Sequence, residues 1–134
     1  MNVQDFAQQV GISPHTVRYY EKIGLLPNVR RTASGHRDFC ESDIAWMDFI
    51  LRLKNTGMPL AEILVYSGLR SQGAKTLEQR QQMLQTHAQQ LATHIQLQQE
   101  CFRLLQEKIS WYQNEISGAA IKKVSSKAKP KNRD

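Results

Sequence analysis

SPHTVRYYEKIGLL, residues 13–26, is the stretch on which the reading of the fold turns. Ser13 suits a helix N-cap, and Pro14 suits the first helical position, where its missing N–H costs no hydrogen bond. The helix predicted from there runs to about Ile23 and stops at Gly24. Val17, Ile23 and Leu25 read as core, whereas His15, Thr16, Arg18 and Tyr19 project from the outer face. Upstream, Asn2 caps a first helix with Asp5 three residues on. Val3, Phe6, Ala7 and Val10 fall on one face of it, and Gly11 ends it. Two short helices joined by a Gly-containing turn form a helix-turn-helix.

Downstream, Pro27, Asn28, Ser34 and Gly35 break the chain into two short strands, Val29–Thr32 and His36–Phe39, around a Ser-Gly turn. This hairpin is a wing. A third helix is expected over Glu41–Thr56, with Ile44, Trp46, Met47, Ile50, Leu51 and Leu53 apolar. Gly57 closes it. A fourth is expected from Pro59 through Ser67, ended by Gly68, with residues 71–75 as a linker. Thr76, with Gln79 as its capping-box partner, opens a long helix that lasts until Gly118.

In that helix Leu77, Gln81, Leu84, Ala88, Leu91, Ile95, Gln98, Phe102, Leu105, Ile109, Tyr112 and Ile116 alternate four and three apart. Ten of the twelve are apolar. This is a coiled-coil seam. Its 40 residues would span ~60 Å at the α-helical rise, too long to bury against a domain of 70 residues. The simplest partner is a second copy. The expected organisation is a winged helix-turn-helix DNA-binding domain at 1–70, the linker at 71–75, a coiled-coil dimerisation helix at 76–117 and a flexible basic tail at 118–134. The fold class is all-α dominated: four helices and a small β-hairpin wing, then the long helix.

Charge supports DNA as the partner, but locally. The net charge of +6 comes mostly from the last 17 residues, which carry six Lys/Arg against one Asp. From Arg18 to Arg37, however, five basic residues stand against Glu21 alone, the clustering that a phosphate-binding surface needs. Arg, Thr and His on a helix in a major groove reach base edges or phosphates, and Tyr hydroxyls donate to phosphate. Arg30, Arg31, His36 and Arg37 on the wing suit phosphate clamping. A solvated helical face beside a basic hairpin is the plainer alternative.

Other classes are poorly supported. No paired-carboxylate, Ser-His-Asp, phosphate-loop or metal constellation marks an enzyme, and no cofactor is called for. No secretory signal and no apolar run of membrane length is present, so a cytoplasmic protein without a membrane partner is expected. Cys40 and Cys101 form no metal knuckle and no disulfide framework.

The strings DFAQQVGISPHTVRYYEKIGLL, RRTASGHRDF and LKNTGMPLAEI closely resemble, over residues 1–70, the MerR family of bacterial regulators; RYYE-x-x-GL(L/I) and G-x-R-x-(F/Y) are its signature. The long helix resembles that family's dimerisation helix, which implies that two copies of 76–117 pair as an antiparallel coiled coil. The resemblance implies a homodimer on a two-fold symmetric promoter operator whose spacer is too long for RNA polymerase. The dimer bends and untwists the spacer, usually on an effector signal, so that polymerase is affected through the DNA. Carried over by position, Arg18, Tyr19, Tyr20, Arg31 and Arg37 are the core DNA contacts. His36 stands where many members have Tyr, and His15 and Thr16 would tune operator sequence. An effector-independent repressor or DNA-architectural protein of the same fold is the alternative, and a coiled-coil adaptor binding protein is a third class.

The input end is less readable. The family's metal sensors carry Cys near the end of the dimerisation helix, where this chain has none, so soft-metal sensing of that design is not expected. The short members that sense electrophiles use a thiol near the end of the third helix, here Leu53-Lys54-Asn55-Thr56. Cys40, at the other end of that helix, reads either as a redox or electrophile sensor, helped by Arg37, or as a small residue at a helix start. His87, His94 and Cys101 fall seven apart, too far to share one metal within a helix, and read as solvated flanking positions. Gln98, near the middle of the seam, reads either as a register-fixing Gln–Gln contact or as a water-filled gap. Trp111, Tyr112 and Ile116 read either as a pocket for an apolar organic effector against the partner's DNA-binding domain or as plain packing.

Overall fold

The computed structural model describes residues 1–121. It contains α1 (Val3–Val10), α2 (Pro14–Lys22), β1 (Arg30–Arg31), β2 (Arg37–Asp38), α3 (Glu41–Asn55), α4 (Leu60–Ser71), a 3₁₀ turn (Gly73–Thr76) and α5 (Leu77–Ile121). Local chemistry explains most of these bounds. The Asn2 side chain accepts from the N–H of Asp5 at 2.8 Å. Gly11 then turns left-handed, at φ 79°, and returns its N–H to the Ala7 carbonyl, a conformation that any residue with a Cβ resists.

Met1–Leu91 forms one unit and the chain from Ala92 another. The core of the first joins α1–α4. Phe6 stacks on Phe39 with ring centroids 4.2 Å apart, and Val17, Leu25, Met47 and Ile63 are fully buried around them. Each such side chain contributes roughly 1.5–3 kcal/mol by leaving water. Trp46 packs its ring against Tyr66 and Arg70, and its Nε1 donates to the Leu25 carbonyl at 2.6 Å.

Several expected boundaries move. The strands shorten to two residues each, paired Arg30 with Asp38 and Arg31 with Arg37. The third helix ends at Asn55, with Thr56 as its cap. Pro59 is the N-cap of α4 rather than its first residue. Gly68 does not close α4, which runs on through Ser71: its φ is not left-handed, so it costs a helix about 1 kcal/mol without breaking it. Gly118 is likewise absorbed into α5. The tail expected from 118 is therefore helical to Ile121, and its remainder lies outside the described residues.

Thr76 does not form the expected capping box. Its hydroxyl donates to the carbonyls of Leu69 (2.6 Å) and Gly73 (3.1 Å) and accepts from Arg80 Nε (3.0 Å). It thus fastens the end of α4 to the start of α5. Met83 and Leu84 continue the attachment by packing on the core, which is why the first unit extends to Leu91 and not merely to residue 70. The chain from Ala92 is a helix whose large apolar side chains are exposed, among them Ile95, Phe102, Leu105, Ile109, Tyr112 and Ile116.

Candidate nucleic-acid interface

Helix α2 starts where Ser13 Oγ accepts from the N–H of Thr16 at 3.0 Å. The two hydroxyls also hydrogen-bond at 2.9 Å, which ties Thr16 to the cap. Val17 and Tyr20 face the core. That orientation leaves His15, Arg18, Tyr19 and Lys22 exposed, all on one outer surface.

Tyr20 is the departure from the expected contacts. It is 4% exposed, and its hydroxyl accepts from Lys54 Nζ at 2.9 Å. Tyr20 therefore binds α2 to α3 rather than offering itself to a ligand. Residues 17 and 20 lie on the same helical face, so the inward position of Tyr20 was readable from that of Val17.

The wing is organised by two devices. Gly35 takes a left-handed turn, at φ 89°, and its carbonyl accepts from Arg31 Nη1 at 3.0 Å. His36 Nδ1 lies 3.1 Å from Ser34 Oγ, so His36 is held at the exposed tip. The second device is Glu21. Its carboxylate forms an ion pair with Arg37 Nε and lies 3.8 Å from Arg31 Nη2. The single acidic residue within the basic run is thus the clamp that joins α2 to the wing, a role the sequence reading did not assign. At the base of the wing, the Met1 amino group donates to Asp38 Oδ1 at 2.9 Å and holds that carboxyl below the ordinary carboxylate range. Arg30 remains exposed. Together α2 and the wing present Arg18, Lys22, Arg30, Arg31 and part of Arg37 in one first-unit surface.

Charge alone and geometry predict opposite outcomes for Glu21→Gln. Removing an acid makes the face more cationic, which favours DNA. Releasing Arg31 and Arg37 costs preorganisation of the wing. We expect geometry to win: operator affinity falls about three- to tenfold, the loss of roughly 1 kcal/mol expected for a partly exposed ion pair. A titration of labelled operator checks this, and tighter binding would refute the clamp.

The remaining expected residues are dispersed. Cys40, half-buried, caps α3; its Sγ lies 3.4 Å from Asp43 Oδ2 and 3.0 Å from Ser42 Oγ. Arg37, the expected activator of that thiol, is paired with Glu21 instead. His87 is not a solvated flanking residue: it is 8% exposed, and its Nε2 lies 2.8 Å from Thr56 Oγ1. The Thr56 hydroxyl donates to the Arg52 carbonyl at 2.6 Å, so His87 Nε2–H is the donor to Thr56. His94 and Cys101 are exposed, and His94 Nε2 lies 3.4 Å from the Gln98 amide. Of the seam positions, Leu84 and Leu91 are half-buried; Leu77, Ala88, Ile95, Gln98, Phe102, Leu105, Ile109, Tyr112 and Ile116 are exposed. Trp111 sits edge-on to Tyr112, with centroids 4.9 Å apart.

Residues 1–67 match the family model described as MerR HTH family regulatory protein. Residues 44–108 match another described as MerR, DNA binding. An uncharacterised HTH-type transcriptional regulator of Haemophilus influenzae is 33% identical over 119 residues, 89% of this chain and 88% of that protein. The HTH-type transcriptional regulator AdhR of Bacillus subtilis is 40% identical over 84 residues; the match spans 63% of this chain and 60% of AdhR. The crystal structure of HiNmlR, a MerR family regulator lacking the sensor domain and bound to promoter DNA, superposes with a TM-score of 0.80 at 33% identity, covering 87% of this chain and 92% of that one. These relatives are regulators, not enzymes.

Proposed function

Since this chain belongs to the MerR HTH family and is a DNA-binding transcriptional regulator, we propose that it grips a palindromic promoter operator as an antiparallel homodimer and activates by bending and untwisting the spacer. The observation that carries the reading is the Glu21 clamp, which makes recognition helix and wing one cationic surface. His15, Thr16, Arg18 and Tyr19 enter the major groove, with His15 and Thr16 tuning sequence preference. Arg30, Arg31, His36 and Arg37 hold the flanking phosphates. Tyr20 acts from inside, by fixing α2 on α3 through Lys54. RNA polymerase is engaged only through the altered DNA.

The exposed apolar stripe of α5 supports the dimer. Isolated monomers rarely leave so many large apolar side chains in water along one line. The input remains an organic or electrophilic effector in class. Cys40 is a weak candidate for receiving it, because its thiol is engaged by Asp43 and Ser42 while Arg37 pairs with Glu21. HiNmlR, similar over most of its length, lacks the sensor domain. That likeness favours the second reading, an effector-independent repressor or architectural protein with the same DNA-binding surface.

Transcription in vitro from a bound promoter, with fluorescence measurement of the DNA bend, tests the proposal. Activation with bending is expected. Affinity should fall by about 10³ between 50 and 200 mM salt, given roughly six phosphate contacts over two copies. Repression on unbent DNA would replace activation by the second reading, and salt-independent binding would remove both.

A further inference from the structure

The seam of α5 limits how two copies can meet. Its positions recur every seven residues, so antiparallel helices can slide past each other only in heptad steps. One register leaves no layer overhanging: Leu77 opposite Ile116 of the partner subunit, Gln81 opposite Tyr112 of the partner subunit, and so inward to Ile95 opposite Gln98 of the partner subunit. A slide of one heptad in one direction strands Tyr112 and Ile116 of each copy in water, and in the other strands Leu77 and Gln81.

The flank beside the seam carries Arg80, His87, His94, Cys101, Lys108 and Glu115, each seven apart. In antiparallel helices this flank runs along the same flank of the partner. The full-overlap register sets Arg80 against Glu115 of the partner subunit, twice by symmetry. The slide that strands Tyr112 and Ile116 sets Arg80 against Lys108 of the partner subunit, two like charges. The opposite flank, with Glu78, Gln85, Gln99, Gln106 and Gln113, brings no opposite charges together in the full-overlap register. Apolar overlap selects the full-overlap register, and charge opposes the slide that strands Tyr112 and Ile116.

Arg80 is prepared for such a partner. Its Nε donates to Thr76 Oγ1 at 3.0 Å and its Nη2 to the Gly73 carbonyl at 2.9 Å. These bonds hold the guanidinium rigid at the 3₁₀ turn and leave Nη1 outside both. Glu115 is exposed, and among the described residues it has no ion-pair partner. We propose that Glu115 of the partner subunit closes on Arg80, so that the end of each dimerisation helix is pinned to the turn that connects the other copy's winged unit to its own α5. The pin fixes dimer register at the joint on which half-site spacing depends. This inference rests on the homodimer reading above.

The test uses the native Cys101. In the proposed register, position 94 faces Cys101 of the partner subunit, whereas the two Cys101 residues lie about nine residues apart along the axis, ~13 Å. The full chain carrying His94→Cys and Cys40→Ser is treated with dibromobimane, a short thiol cross-linker, and the linked peptides are identified by mass spectrometry. A covalent dimer joining position 94 to Cys101 is expected, with Cys40→Ser alone unlinked. A link between two Cys101 residues, or a dimer that does not cross-link, overturns the register. A chain that light scattering finds monomeric overturns the homodimer reading itself, and this inference with it. As an independent arm, Glu115→Arg should weaken dimerisation about tenfold, because two exposed pairs change from attraction to repulsion. Adding Arg80→Glu should recover most of that loss, and failure to recover it overturns the Arg80–Glu115 pair.

Discussion

The full chain carrying Phe102→Asp and Leu105→Asp is expected to be monomeric at 10 µM or so and to lose at least about a thousandfold in operator affinity. Both side chains are more than half exposed in the single chain, at 62% and 58%, and both belong to the seam. In the full-overlap register they meet Leu91 and Ala88 of the partner subunit. Two-fold symmetry would place four carboxylates in the apolar layer, and each buried charge without a partner costs several kcal/mol. A dimer with nanomolar Kd has about 12 kcal/mol of association free energy to lose, so four such charges abolish it. Operator binding then falls to the level of one half-site. The winged unit should survive, because neither residue contributes to its core. Sedimentation, operator titration and the thermal transition of the winged unit separate these effects. A variant that stays dimeric would place the interface elsewhere, and a variant that binds as tightly while monomeric would remove the need for a dimer.

The same helix shows where sequence pattern reads structure well and where it fails. A seven-residue repeat is local information, so the apolar stripe along α5 was legible without coordinates. The inner side of the first turns was not. His87 falls outside the seam, and nothing local says that Thr56, 31 positions earlier, would meet it. Its burial is a tertiary result of α5 docking on its own winged unit through Met83 and Leu84. Glu21 failed in the same way: its partners lie 10 and 16 residues away across a turn and a hairpin, and a charge count registers it only as a subtraction. Gly68 and Gly118 were misread for a different reason. A glycine with left-handed φ and a glycine inside a helix are the same letter, and only the surrounding packing distinguishes them. The caps at Asn2 and Ser13 were legible, because each acts on an N–H three residues away; the one at Thr76 was not, because its hydroxyl turns to Leu69 and Gly73. Tyr20 was legible in principle, since helical spacing from Val17 turns it inward, but the family pattern grouped it with Tyr19. The basic face was therefore readable as a composition, and its clamp only as a structure.

Phe39→Ala should destabilise the winged unit more than any change on its DNA face. Phe39 is 2% exposed and stacks on Phe6 at 4.2 Å. Its backbone N–H donates to the Met1 carbonyl at 2.8 Å. It directly follows β2, so its ring is the point at which the wing is fastened to the helices. Removing a buried phenyl group costs about 3–5 kcal/mol, against total stabilities of roughly 5–15 kcal/mol for domains of this size. Urea unfolding should show a midpoint lowered by about 2–3 M for an m-value of roughly 1.5 kcal/mol/M. Phe39→Leu keeps most of the volume and should recover more than half the loss. The wing provides the second readout. With Phe39 gone, Arg37 loses the fixed backbone that aims it at Glu21, so operator affinity measured well below the unfolding midpoint should fall further than the fraction of unfolded chain accounts for. If affinity instead tracks the folded fraction alone, Phe39 stabilises the unit without positioning the wing, and the clamp must draw its rigidity from the Gly35 turn and the Arg31–Gly35 hydrogen bond.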